Sequence, residues 1–307
     1  NNTRYYMKIL ITGGTGMVGQ HLQEMFSPDE IWQGKVVFVG SKDYDLTKKY
    51  EVKNMFAKYK PDTVIHLAAK VGGIQDNIAN PVEFLEDNLL INANVVLEAQ
   101  KYRVVKFIGI GSTCAYPDKV EDYPMTEDML HIGEPTASNF GYGYAKRMLA
   151  VHLKTIRESK GLDYFTIFPS NLYSEFDNFE DDTKAHFITA LLKKIKNSDG
   201  IVPLLGTGRP LRQFIHAEDL ARIIMECLDR VIKTDFNVCD DNRSIKVIAE
   251  AALYATLNKQ LELKFDNDNG KDGQYRKDCS NQKLLKLFPG FQFIPLENGL
   301  KRVYNAL

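Results

Sequence analysis

Residues 8–12, Lys-Ile-Leu-Ile-Thr, run without a break into Gly13-Gly14-Thr15-Gly16-Met17-Val18-Gly19. A β-type run that ends in glycines at three-residue spacing, with a helical pattern from about Met17 to Phe26, leaves few folds open. The glycines permit a tight turn and close backbone approach. The helix behind them offers free N–H groups to a pyrophosphate. A glycine pattern by itself is a weak signal. Directly after the first strand of a β-α-β unit, it predicts a dinucleotide site built from Gly13, Thr15, Gly16, Met17, Val18 and Gly19.

Further apolar runs at 35–39, 63–67 and 104–110 alternate with amphipathic stretches. Continuous apolar strands between helices predict a parallel sheet covered on both faces, and so an α/β fold, a Rossmann-type doubly wound parallel sheet. One long helix is expected over about 81–101, with Phe84, Leu85, Leu89, Val95 and Leu97 along its apolar stripe. A second begins near Tyr142 and carries Met148, Leu149 and Leu153. Both are candidates for subunit packing as well as core, and a homodimer through them is the expectation from fold analogy. Beyond Pro169, loops rich in Asp, Asn, Gly and Pro (177–183, 206–210, 266–273) separate shorter elements. The expected division is a cofactor-binding domain at 7–168 and a smaller α/β substrate domain at 169–307, with some segments returning to the first sheet. At 307 residues and 44% hydrophobic content, the chain has material for both.

A net charge of −1, with basic residues dispersed, argues against nucleic acid or an anionic membrane as partner. No apolar run approaches the ~20 residues that span a bilayer. The start, 1–6, lacks the apolar core of a signal peptide and reads as an extension before Met7. Cys114, Cys227, Cys239 and Cys279 show no close pairing, so reduced thiols in a cytoplasm are expected rather than disulfides or a metal site.

The second apolar run ends Phe38-Val39-Gly40-Ser41-Lys42. A free ribose 2′-hydroxyl usually meets an acidic side chain at this point of the fold. Ser41 and Lys42 offer a hydroxyl and an ammonium instead, which suit a 2′-phosphate, so NADP(H) is the expected cofactor; a solvated loop lysine is the competing reading. Asp45 and Leu46 are placed to flank the adenine, and Leu67, Ala68 and Ala69 follow a strand with side chains small enough for close cofactor approach.

Tyr142 and Lys146, four apart on a helix, project from one face. There an ammonium can favour phenolate character and tune a proton donor. Ser112 follows Ile110-Gly111 at the end of a strand, where open α/β sheets place their ligands. The three make a proton-transfer set for a carbonyl or alcohol, with the nicotinamide supplying hydride.

These motifs resemble the extended short-chain dehydrogenase/reductases over essentially the whole chain. Within them, Ala69-Lys70-Val71-Gly72-Gly73-Ile74, Gly111-Ser112-Thr113-Cys114, Pro169-Ser170-Asn171-Leu172-Tyr173 with Asp177-Asn178-Phe179, and Arg212-Gln213-Phe214-Ile215 are similar to the GDP-L-fucose synthase family. The resemblance implies an NADPH-dependent epimerisation at C3 and C5 of GDP-4-keto-6-deoxy-D-mannose, then reduction at C4. It also admits 4-reduction of a related GDP-4-keto sugar such as a heptose.

By the same resemblance Cys114 is the base beside the keto group and His186, after the acidic run Glu180-Asp181-Asp182, the acid on the other face. Pro169, Asn171 and Leu172 then touch the cofactor; Asn171, Lys194, Arg212, Asp272 and Lys277 touch the GDP-sugar. Cys114, two residues past Ser112, is expected on the same side of an extended segment. Two departures stand out: Ser174-Glu175-Phe176 replaces the family's Gly-Pro-His, and Leu205 replaces a Trp. Both are expected near the sugar or base pocket.

Overall fold

Four consecutive β-formers, Ile9–Thr12, form the first strand (β1), and all four are buried, as in the interior strand of a sheet covered on both faces. The computed structural model describes residues 7–177 and 186–307; the start 1–6 and the stretch 178–185, with Asn178, Phe179 and the acidic run 180–182, lie outside the described residues. From β1 the chain passes through α1 (Met17–Met25), α2 (Pro28–Trp32), β2 (Val36–Val39), α3 (Lys49–Tyr59), β3 (Thr63–His66), α4 (Ile74–Ala79) and α5 (Pro81–Lys101). Then come β4 (Lys106–Ile110), α6 (Phe140–Lys160), β5 (Asp163–Pro169) and β6 (Asn171–Tyr173). The remainder holds α7 (Phe187–Lys196), β7 (Ile201–Leu204), β8 (Leu211–His216), α8 (Ala217–Leu228), β9 (Phe236–Val238) and β10 (Asn242–Ser244). It ends with α9 (Ile245–Ala255), β11 (Glu262–Phe265), α10 (Gln282–Leu287) and α11 (Leu296–Ala306).

Six strands pair in parallel in the order β2-β1-β3-β4-β5-β9. The α/β doubly wound expectation is met. The order reverses between β1 and β3, so the crevice for a ligand opens at the carboxyl ends of those strands. One apolar layer packs α1 and α8 on the sheet through Val18, Leu22, Leu220 and Ile224. The opposite layer joins α3, α5 and α6 through Val52, Phe56, Val95, Leu149 and Leu153.

The sixth strand, β9, comes from the second half of the chain, as does α8. A third core, with Ile188, Leu192, Ile248, Leu300 and Val303, binds α7, α9 and α11 together. Between the sheet and that core, β6 pairs with β8 in parallel and sets Asn171 beside Phe214. An isolated bridge between Met125 and Cys279 pins the segment after Lys277 against the long loop that follows β4.

Candidate active site

The glycine loop is shaped by contacts that exclude side chains. Gly13 has φ +67°, and a Cβ there would stand 2.7 Å from the Ala68 backbone nitrogen, so β1 and the end of β3 approach as only glycine allows. Gln23 holds the Gly14 carbonyl at 2.7 Å and Gln20 the Thr15 carbonyl at 3.2 Å. Gly16 caps α1 with no side chain on the helix amides and no acid in the first turn, which leaves those N–H groups for an anion. Thr15 and Gly16 are exposed at this mouth, Met17 is half-buried, and Val18 and Gly19 are buried under it.

Ser41 and Lys42 are exposed just beyond β2, while Asp45 shapes the following turn by accepting from the Thr47 hydroxyl at 2.6 Å. Leu46 packs into the core beside α3. Leu67, Ala68 and Ala69 line the end of β3, where the Leu67 N–H reaches the Thr12 carbonyl at 3.1 Å. Beneath them His66 is fully buried between Thr12 (2.7 Å) and Asn92 (2.9 Å), and burial brings its imidazole down to about 4. It is a neutral structural link, and no motif announced it.

At the end of β4 the chain does what an extended-strand reading misses. Ser112 is extended, but its Oγ accepts the Cys114 N–H at 3.1 Å and starts a 3-10 turn over Thr113–Ala115. Cys114 therefore reaches the site by a side-chain-capped turn and not by alternation along a strand. The turn is held from behind by Arg147, buried on α6, which donates to the Ala115 carbonyl through Nε (2.9 Å) and Nη2 (2.7 Å) and to the Gly133 carbonyl (2.9 Å). Gly143 lets α6 come against the same turn: a Cβ there would sit 2.6 Å from the Cys114 carbonyl oxygen.

On α6, Lys146 is buried and donates to the Ile110 carbonyl at 2.9 Å, with its Nζ 5.8 Å from the centre of the Tyr142 ring. Burial lowers its ammonium to about 8, with the Cys114 charge opposing. Burial, then the nearby Cys114 charge, push the Tyr142 phenol well above its ordinary range, against a smaller opposing effect of a hydrogen bond with Ser112. The ammonium does not dominate the phenol as the helical spacing suggested. Tyr142 is instead held as a neutral O–H, the form a proton donor needs.

For Cys114, burial raises the thiol, but Lys277 and hydrogen bonds with Ser112 and Asn139 outweigh it and leave it below its ordinary value. Lys277 Nζ lies 3.8 Å from Cys114 Sγ. Arg212, on β8, also senses the Cys114 charge; its guanidinium donates to the Leu211 carbonyl at 2.8 Å and approaches the Asp272 carbonyl at 3.5 Å. Ser112, Cys114, Tyr142, Lys146, Arg212 and Lys277 thus form one electrostatic neighbourhood.

His186, half-exposed before α7, pairs through Nδ1 with Asp177 at 2.9 Å, and the other oxygen of Asp177 accepts from Thr189 at 2.5 Å. This fixes the ring through Nδ1, an orienting role for Asp177 that residue spacing does not reveal. Lys194, exposed on α7, donates to the Pro203 carbonyl at 3.1 Å. The Asp272 carboxylate caps the Thr207 N–H (2.6 Å) and hydroxyl (2.7 Å), shaping the turn after Leu205. Asn171 donates to the Gln213 carbonyl at 2.8 Å, Pro169 ends β5, and Leu172 packs against the first core layer.

The segment Ser174-Glu175-Phe176 is engaged elsewhere. Ser174 bonds His21 at 2.8 Å, Glu175 Oε2 lies 2.8 Å from His216 Nε2, Arg302 pairs with the other oxygen of Glu175, and the Phe176 ring packs 4.7 Å from that of His21.

A model of the NAD dependent epimerase/dehydratase family matches residues 9–239. The chain belongs to that family. Among its curated relatives, the GDP-L-fucose synthase of Dictyostelium discoideum is 37% identical over 303 residues, covering 95% of this chain and 92% of that protein. The GDP-L-colitose synthase of Yersinia pseudotuberculosis is 33% identical over 303 residues, covering 96% of each. A solved GDP-L-fucose synthetase from Naegleria fowleri bound to NADP matches with TM-score 0.84 and 34% identity, covering 97% of this chain and 91% of that one. The resemblance to GDP-L-fucose synthases drawn from the motifs is borne out. Among the described residues no helix is long and apolar enough to cross a membrane.

Proposed function

We propose that the protein converts GDP-4-keto-6-deoxy-D-mannose to GDP-L-fucose, by epimerisation at C3 and C5 and reduction of the C4 ketone, with NADPH as cofactor. The observation that carries this reading is the Cys114 thiol, turned into the same neighbourhood as Ser112, Tyr142 and Lys146. Keto reduction alone needs the last three. A thiol of lowered proton affinity beside them adds a base able to work on the carbons next to the ketone.

The uncapped amides of α1 fit a pyrophosphate, and exposed Ser41 and Lys42 fit a 2′-phosphate. NADPH, when bound, supplies the hydride for C4. Cys114 removes the proton made acidic by the C4 carbonyl, and His186, oriented by Asp177, returns one from the opposite face. Tyr142, assisted by Ser112, holds the carbonyl oxygen and donates the proton that completes the alcohol. Lys146, tied to the Ile110 carbonyl, sustains positive potential under the phenol. Arg212, Lys194 and Lys277 are the cations for the diphosphate, with Asp272 and Asn171 as polar contacts.

In this reading residues 7–168, with β9 and α8, bind the cofactor, and the rest of 169–307 binds the sugar nucleotide. A homodimer forms through α5 and α6, whose exposed Val82, Leu89, Leu90, Leu97 and Met148 form an apolar face. The four free cysteines suit a reducing cytoplasm.

The similarity to a colitose synthase favours a second reading, in which the same residues act on a related GDP-4-keto sugar. Turnover of GDP-4-keto-6-deoxy-D-mannose with NADPH in heavy water tests the first. Deuterium at C3 and C5 of the product is expected; reduction without deuterium leaves a simple reductase, and no turnover leaves the second reading.

A further inference from the structure

A thiol acts as a carbon base only as thiolate. Burial works against that form at Cys114, so something nearby must supply the charge. The groups around Sγ come from four directions. Ser112 lies on its own turn, Asn139 precedes α6, Tyr142 and Lys146 stand on α6, and Arg212 stands on β8. Lys277 closes the set at 3.8 Å.

The cations differ in their engagements. Lys146 is bound to the Ile110 carbonyl and Arg212 to the Leu211 carbonyl. Lys277 has no carboxylate partner among the described residues, and its ammonium turns to the sulfur. Its backbone is fixed by long-range contacts. Two residues on, Cys279 has its N–H and C=O both taken by the Gln213 side chain at 2.9 and 3.0 Å, while the Asp278 carbonyl and Ser280 N–H bracket Met125 at 2.9 and 2.8 Å.

We propose that Lys277 is the positioning residue that holds Cys114 as a thiolate, ready to act as the epimerisation base. The inference rests on the reading of Cys114 as that base. When the thiolate takes a proton from the carbon beside the C4 carbonyl, the S–H bond forms and the C–H electron pair moves onto the carbonyl oxygen as an enolate. The ammonium keeps its proton throughout. Its contribution is made before the substrate arrives, so it is measurable without turnover.

The test is the pH dependence of Cys114 alkylation by iodoacetamide in the substrate-free protein, followed by peptide mass. The other three thiols are buried and pushed up by burial, so Cys114 dominates the signal, and Cys114→Ser gives the background. In the wild type the midpoint lies below that of an ordinary thiol. Lys277→Met raises it by about one unit or more, which slows alkylation at neutral pH about tenfold, and Lys277→Arg restores most of the shift. NADPH affinity serves as the check that each variant is folded. An unchanged midpoint in Lys277→Met, with only a higher KM for the GDP-sugar, overturns the inference and leaves Lys277 a diphosphate contact. If the midpoint shifts as expected but Cys114→Ser still exchanges deuterium at C3 and C5, the failure lies in the reading of Cys114 as base.

Discussion

Gly143 is the fourth residue of α6, at the end of its first turn, where glycine costs up to about 1 kcal/mol relative to alanine, so Gly143→Ala would stabilise an isolated α6. The surroundings reverse that. The new Cβ would stand 2.6 Å from the Cys114 carbonyl oxygen and 2.7 Å from the Pro135 Cβ, a peptide group and a ring carbon that cannot swing away. Restoring ordinary contact near 3.4 Å moves α6 and the Cys114 turn apart by about 0.8 Å. Overpacking of this kind costs roughly 1–3 kcal/mol, so the net stability change is small. Chemistry is less forgiving, because a misplacement near 1 Å can cost ~10²-fold in rate. The displaced boundary is the one that sets Tyr142 and Lys146 against Ser112 and Cys114. Gly143→Ala is therefore expected to unfold within a few degrees of the wild type, retain NADPH binding, and lose turnover ten- to a hundredfold, roughly the range that such a shift allows. Thermal unfolding and NADPH absorbance measure the two halves of the claim. A variant that melts higher and turns over normally would show that the helix and the turn separate freely, and the packing argument fails.

Two further outcomes follow from single side chains. Lys42→Ala should weaken NADPH by about 1.5 kcal/mol, roughly tenfold, and leave NADH nearly unchanged, since only the former carries the 2′-phosphate; equal losses in a binding titration sink the assignment. Lys146 is driven from 10.5 to about 8 in the fold, so between those values the unfolded chain holds a proton that the native state has shed, and stability rises with pH across that window. A shift of this size is worth ~3 kcal/mol, and losing the bond to Ile110 returns about 1 kcal/mol. Lys146→Met should thus be inactive, more stable than wild type near neutral pH, and without the rise from about 8 to 10.5 in chemical denaturation; a less stable variant with the rise intact refutes it.

The fold was legible where local signals and tertiary need agree. Strand β1, the glycine turn and α1 follow from hydrophobic continuity and the need for N–H groups at a helix start. Helix α5 runs from Pro81 to Lys101 as read, with Pro at its first turn and a basic last turn. Strand β9 is three residues long and exists because Phe236 pairs with Ile167, which no local pattern reveals. The site was legible as residue types and less so as geometry. Ser112, Cys114, Tyr142 and Lys146 converge, but Cys114 does so through a turn capped by Ser112 and backed by Arg147. Leu46, read as an adenine contact, has its side chain in the core beside α3, and its carbonyl accepts from the Asn94 amide at 2.9 Å, a placement residue order does not show. The Lys277 contact spans 163 residues of sequence and depends on Gln213 docking Cys279, a purely tertiary arrangement.

The departure at Ser174-Glu175-Phe176 acquires a different meaning from its contacts. His21 and His216 are fully buried, and Glu175 lies beside both, with Arg302 bridging Glu175 and Glu218. The three donor groups of His21, Glu175 and His216 are close enough to suggest a cation. The hydrogen bonding argues otherwise. His216 Nδ1 accepts the Glu218 N–H at 3.2 Å, which places the ring proton on Nε2, facing Glu175, where a metal would need a lone pair. Burial brings His21 down to about 4, so it is neutral, and Arg302 balances two carboxylates. Although burial opposes it, His216, a backbone N–H and Arg302 hold the Glu175 carboxyl well below its usual range. The network ties α1 to the end of β6, the start of α8, and α11, so these three residues join the cofactor half to the C-terminal half. Breaking it by removing Arg302 would strand a partly buried carboxylate and loosen that junction, with no direct effect on Cys114. Of the two departures, Ser174-Glu175-Phe176 is thus engaged in this junction, while Leu205 is exposed before the turn that Asp272 caps.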